Sequence, residues 1–246
     1  MPKVEAEAER EAVAFAVEGQ GVSRRFGRRW ALAEVNLRVA AGTTYVLAGR
    51  NGSGKSTLLC VLATLLRPDQ GSIKVGGLDV RTRRDEVRRR TALLSHHSYL
   101  YDPLTAFENL QILARFMGQS DNRAQILTSL EQVGLADRAH DAVATFSAGM
   151  RKRLALARVL HQRAPIVFLD EPYGALDPPG FRLVREVLAS LKADGVTVVL
   201  ATHQLQRGSE LADEALILDA GRVRWTGTAR ELPAAGVSVG LDEASA

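Results

Sequence analysis

A chain of 246 residues, 46% apolar and 24% charged, can bury one large core and is not a disordered polymer. Its one cysteine, Cys60, excludes an internal disulfide framework and points to a reducing compartment. The net charge of +4 invites nucleic acid as a partner, but the clusters Arg24, Arg25, Arg28, Arg29 and Arg81, Arg83, Arg84, Arg88, Arg89, Arg90 carry no nucleic-acid motif. The second also holds Asp85 and Glu86, so a solvated or partner-facing surface is expected instead of nucleic acid or lipid headgroups.

Residues 1–12 read as a flexible tail, acidic and alanine-rich and unlike a secretory signal. Strands are predicted over 14–19 and 35–40, the second alternating Val35, Leu37 and Val39 with Asn36, Arg38 and Ala40 as a half-buried strand does. Phe26 lies between them. A short apolar strand then enters a glycine-rich turn, from which a helix is predicted over 55–66.

The turn is the most informative stretch of the chain. Gly49, Gly54, Lys55 and Ser56 fit the Walker A spacing in the strand-then-helix context that confirms it. Gly49, Gly52 and Gly54 let backbone N–H groups converge on a phosphate, and the helix turns its positive end to the same place. Asn51, Ser53 and Thr57 complete the predicted cradle. Lys55 is expected to reach the β- and γ-phosphates and the Ser56 hydroxyl to hold Mg²⁺. A glycine-rich turn ending on a surface lysine is the alternative. Cys60 falls two turns into the helix, where a small apolar side chain suits packing on a sheet.

A Pro68-Asp69-Gln70-Gly71 turn and short strands at 72–75 and 92–95 follow. From about 105 to 162 the pattern is helical: Leu110, Leu113, Ala114 and Met117 recur at helical spacing, as do Ile126, Leu127, Leu130 and Val133 before Gly134. The sheet resumes at 166–169 and 196–201 around a helix at 181–193, as short apolar runs typical of parallel strands buried on both faces. Neither these runs nor any other approaches the roughly 18 to 20 residues that span a bilayer. A last strand at 215–219 turns at Gly221 into 222–226, and residues 233–246 read as a loose tail.

The strand at 166–169 ends in Asp170-Glu171, at the edge where open α/β sheets bind ligands. Asp170 is expected to hold Mg²⁺ through water and Glu171 to orient or deprotonate an attacking water; a helix-capping acidic pair is the alternative. Phe146-Ser147-Ala148-Gly149 precedes a basic amphipathic helix over 150–162, so Ser147 is a good N-cap and the helix end a second anion site.

In this order the motifs resemble the nucleotide-binding subunit of an ABC transporter, over residues 13–232. The resemblance implies a P-loop NTPase fold with a mostly parallel core sheet, an antiparallel β subdomain and an α-helical subdomain inserted at about 97–163. It also implies ATP hydrolysis with Mg²⁺ and a head-to-tail dimer, homodimeric or with a second ABC ATPase, sharing two ATP sites. Phe146 to Met150 stands for the family signature, with Ser147 and Gly149 kept, while Ala148 and Met150 depart from it. Phe26 resembles the aromatic that stacks on adenine, Asp177 the D-loop aspartate, and His203 the switch histidine at the γ-phosphate.

Where the family has a glutamine between sheet and helical insertion, His96 stands, beside His97. That position and the Ser-Ala-Gly signature are similar to the haem-exporter ATPase of cytochrome c maturation; an ATPase of a multidrug or polysaccharide exporter is the alternative, and the histidine pair could itself ligate metal or haem. Integral membrane permease subunits are the implied partners, holding the chain at the cytoplasmic face of the inner membrane. A soluble ABC ATPase acting on ribosomes or DNA, and a regulator that holds ATP without hydrolysing it, are the competing classes.

Overall fold

The computed structural model describes residues 15–119, 121–238 and 240; the expected tail at 1–12 and the last residues, 241–246, lie outside them. In chain order the strands are β1 (Phe15–Phe26), β2 (Arg29–Ala40), β3 (Thr44–Ala48), β4 (Gln70–Val75), β5 (Leu78–Asp79), β6 (Thr91–Leu94), β7 (Ile166–Asp170), β8 (Thr197–Thr202), β9 (Glu214–Asp219) and β10 (Arg222–Thr228). The helices are α1 (Lys55–Leu62), α2 (Arg84–Arg90), α3 (Ala106–Phe116), α4 (Arg123–Glu131), α5 (Ala148–Gln162), α6 (Pro178–Ala193), α7 (Leu205–Ser209) and α8 (Leu232–Ser238). One sheet is antiparallel in the order β2-β1-β4-β5; the other runs β10-β9-β3-β8-β7-β6 and is parallel except at β10.

Alternation along the parallel strands divides the core into two layers, as it must when both faces are covered. Tyr45, Leu47, Ile166, Phe168, Val199 and Leu216 join α1 and the antiparallel sheet. Their neighbours Val46, Ala48, Val167, Leu169, Leu200 and Ile217 join the helical layer of α3 to α6. The adjacent strands β3, β8, β7 and β6 share one direction, so their C-terminal ends deliver the phosphate loop, His203, Glu171 and His96 to one edge of the sheet.

Several boundaries differ from those the sequence predicts, for local reasons. β1 and β2 run on to a Gly27-Arg28 turn, with Arg25 opposite Trp30 and Phe26 opposite Arg29. The arginines of that hairpin conceal the strand pattern; their guanidinium groups lie over aromatic rings, Arg24 on Phe26 at 4.9 Å and Arg25 on Trp30 at 5.6 Å. α1 stops at Leu62 because Thr64 turns left-handed (φ 62°), after which the N–H groups of Leu65 and Leu66 both fold back to the Cys60 carbonyl. α6 begins at Pro178, since Asp177 caps it and proline suits a first helical turn. The segment expected to be loose from residue 233 is helical through Ser238: Leu232 and Ala235, one turn apart, are buried in the helical layer.

Phe168 is a fully buried aromatic in the middle of β7. Phe168→Ala is expected to lower unfolding free energy by about 3–5 kcal/mol, measured by urea denaturation of the full-length chain; a cost below about 1 kcal/mol would show that this layer is not a packed core.

Candidate active site

The phosphate loop takes its shape from close backbone approaches. Gly54 has φ 112°, and a Cβ there would lie 2.5 Å from the Ala31 carbonyl oxygen; at Gly49, φ 148°, it would lie 2.2 Å from that of Leu218. Directly after Gly54, α1 starts on Lys55, which is buried. The Lys55 ammonium donates to the carbonyls of Gly49 (2.6 Å) and Arg50 (3.0 Å) and lies 3.7 Å from Glu171 Oε1. Burial pushes it below the usual lysine range, against the opposing pull of Glu171 and Asp170.

Across the loop stands the acidic pair. Ser56 Oγ donates to Asp170 Oδ1 at 3.0 Å, and burial raises the Asp170 carboxyl while that hydrogen bond pulls it down. Glu171 sits in the left-handed region (φ 45°), a strained backbone that costs about 1–3 kcal/mol and recurs at functional sites. Its N–H donates to the Ala201 carbonyl at 2.9 Å. His203 Nδ1 donates to Oε1 at 2.9 Å and Thr202 Oγ1 to Oε2 at 3.3 Å, so both carboxylate oxygens are oriented from β8 and the residue after it.

Lys55, Ser56, Asp170, Glu171 and His203 line one cleft of about 680 Å³. Of the residues predicted from the sequence, Asn51, Gly52, Gly54, Lys55, Ser56, Thr57, His96, Asp170, Glu171 and His203 line it, whereas Phe26, Gly49, Ser53, Ser147, Gly149 and Asp177 do not. Phe26 is half-exposed at the hairpin tip under Arg24. Among the described residues the Ser53 hydroxyl is buried without a hydrogen-bond partner. Ser147 caps α5 and accepts from the Met150 N–H at 3.2 Å on an exposed helix end. Asp177 caps α6, accepting from the Gly180 N–H at 2.9 Å and from Arg153 at 3.3 Å; the Gly180 bond and then Arg153 hold its carboxyl below the usual range.

The Met150 side chain, where the signature departs from the family, packs against the helical core. His96 and His97 stand edge to face, 5.7 Å between ring centroids, and among the described residues no three His, Cys, Asp or Glu form a metal-holding group. The cleft also has a wall that sequence reasoning missed: Ala148, Arg151, Lys152 and Ala155. Their i, i+3, i+4, i+7 spacing marks one face of α5 and could have revealed it.

A buried ammonium, glycine-shaped backbone and a helix N-terminus fit a polyphosphate. Ser56 and Asp170 offer oxygen ligands to a hard divalent cation, which would complete its shell from phosphate oxygens and water.

The ABC transporter family profile matches residues 32–174, from β2 through the phosphate loop to the acidic pair. The daunorubicin resistance ATP-binding protein DrrA3 of Streptomyces coeruleorubidus is 42% identical over 221 residues, covering 89% of this chain and 70% of that protein. The chain belongs to the ABC transporter family. The daunorubicin/doxorubicin resistance ATP-binding protein DrrA of Streptomyces peucetius is 37% identical, over 88% of this chain and 66% of its own length, so the chain spans about two thirds of these relatives. A solved ATP-binding cassette, dimeric in a post-hydrolysis state with ADP and Pi, superposes with a TM-score of 0.81 at 27% identity over 87% of this chain and 99% of the other. The chain is thus an ABC ATPase with the fold its motifs imply. Among the described residues no helix is long and apolar enough to cross a membrane.

In this ABC ATPase, Gly54→Ala forces a side chain against the Ala31 carbonyl at a backbone conformation that costs about 1–3 kcal/mol. Fluorescent ATP-analogue titration is expected to show affinity reduced by about tenfold or more, since each 1.4 kcal/mol is a factor of ten. Unchanged affinity would mean that the loop does not form the cradle.

Proposed function

We propose that this ABC ATPase drives an exporter of amphipathic, drug-like compounds, bound to integral membrane permease subunits at the cytoplasmic face of the membrane. Identity to two drug-resistance ATPases, 42% and 37%, supports this reading. The haem-exporter resemblance gives way to it, because that rested on His96 and Ala148, two single positions set against similarity over 221 residues.

The observation that carries the chemistry is the Glu171 carboxylate, held by His203 and Thr202 and 3.7 Å from the Lys55 ammonium. With ATP in the loop, Lys55 leaves the Gly49 and Arg50 carbonyls for the β- and γ-phosphates, and the loop amides neutralise the phosphate oxygens. Ser56 and Asp170 would hold Mg²⁺, which would supply charge neutralisation to the phosphates. Glu171 accepts a hydrogen bond from the attacking water and aligns it with the γ-phosphorus, while His203 fixes the carboxylate and contacts the γ-phosphate. Phe26 stacks on the adenine.

Ser147 and Gly149 do not line this chain's own cleft and serve the γ-phosphate held by a second copy, with Asp177 at the junction. The dimeric ADP- and Pi-bound relative supports that arrangement. Glu171→Gln is expected to retain ATP binding, lower Mg·ATP hydrolysis by about 100-fold or more, and sediment as a dimer when ATP is present. Turnover at the wild-type rate would remove Glu171 from this role.

A further inference from the structure

Glu171 owes its position to the peptide plane that precedes it, and that plane is gripped on both sides. Its N–H donates to the Ala201 carbonyl of β8 at 2.9 Å, and its C=O, that of Asp170, accepts from Lys152 Nζ at 3.3 Å. Lys152 is half-buried on α5, in the cleft wall and beyond the predicted site. The next residue, Arg153, reaches Asp177 Oδ1 at 3.3 Å, so consecutive cations of α5 tie down both ends of the segment 170–177. Between those ties the chain holds two non-glycine residues in left-handed conformations, Glu171 (φ 45°) and Ala175 (φ 62°). Such conformations persist only where the surroundings over-determine them.

From this geometry we infer that Lys152 is a positioning residue for hydrolysis, fixing the Asp170–Glu171 peptide plane so that the Glu171 carboxylate faces the γ-phosphate. Lys152 acts through the Asp170 carbonyl, to which its ammonium donates at 3.3 Å. It links the helix whose N-terminus serves the neighbouring ATP to the carboxylate that serves this chain's own. The inference rests on the proposed role of Glu171.

Steady-state Mg·ATP hydrolysis by the full-length chain tests it. Lys152→Met keeps the stem and removes the donor; a small misplacement of a catalytic group is expected to lower kcat about tenfold to hundredfold. KM for ATP should change by no more than about twofold, because ground-state binding does not pass through this plane. Lys152→Arg, which keeps a cationic donor, should recover most of the lost kcat. Wild-type kcat in Lys152→Met, a loss confined to KM, or failure of Lys152→Arg to recover the rate each overturns the inference. Should Lys152→Met not fold, as judged by circular dichroism, Lys152→Ala carries the same comparison. Glu171→Gln measured alongside separates the two readings: its full turnover sinks the role of Glu171, whereas an inactive Glu171→Gln with a fully active Lys152→Met sinks only the role of Lys152.

Discussion

A buried ammonium has to be satisfied, and the site depends on how Lys55 is. Leaving such a charge unpaired in the interior costs several kcal/mol, and the chain meets that demand with two loop carbonyls and a carboxylate at 3.7 Å. Those partners are ones a phosphate can replace. The loop therefore holds its cation in place while leaving it exchangeable, and the carboxylate that steadies it, Glu171, is the one proposed to align water. Ser56 and Asp170 form a similar pair across the cleft, a hydroxyl and a carboxylate at 3.0 Å between which a hard cation can be taken up.

The sheet makes this arrangement possible. Four neighbouring parallel strands end at one edge, so residues far apart in the chain, such as Lys55, Glu171 and His203, meet within hydrogen-bonding or ion-pairing distance. Both layers of the core anchor these strands, one through α1 and the antiparallel sheet, the other through the helical insertion. α5 belongs to the second layer and reaches Asp170 and Asp177 through Lys152 and Arg153, which carries the influence of the helical insertion into the cleft.

Much of this was legible in the residues, and the remainder was hidden for identifiable reasons. Strands β3, β7 and β8 are continuous apolar runs, and the glycine spacing before Lys55 admits few other folds. The β1–β2 hairpin tip was masked by arginines that read as solvated but lie over rings. Helix α8 was masked by small residues with little hydrophobic signal, although Leu232 and Ala235 are buried. Lys152 looked like one more charge on a basic helix, because only the tertiary fold brings it to the Asp170 carbonyl. The contact between His203 and Glu171 likewise depends on β7 and β8 being neighbours, which no local pattern encodes. The haem-exporter resemblance rested on two positions, and similarity over 221 residues backs the multidrug alternative better.

The central claim is that each chain carries half of two active sites: a phosphate loop for one ATP and the Ser147 helix end for the other. Mixing two inactive variants tests it directly. Lys55→Ala removes the loop half and Ser147→Arg blocks the signature half, so a mixed pair retains one intact composite site. Recovery of Mg·ATP hydrolysis on mixing, with neither variant active alone, is the predicted result; absence of recovery at every mixing ratio would contradict the shared site.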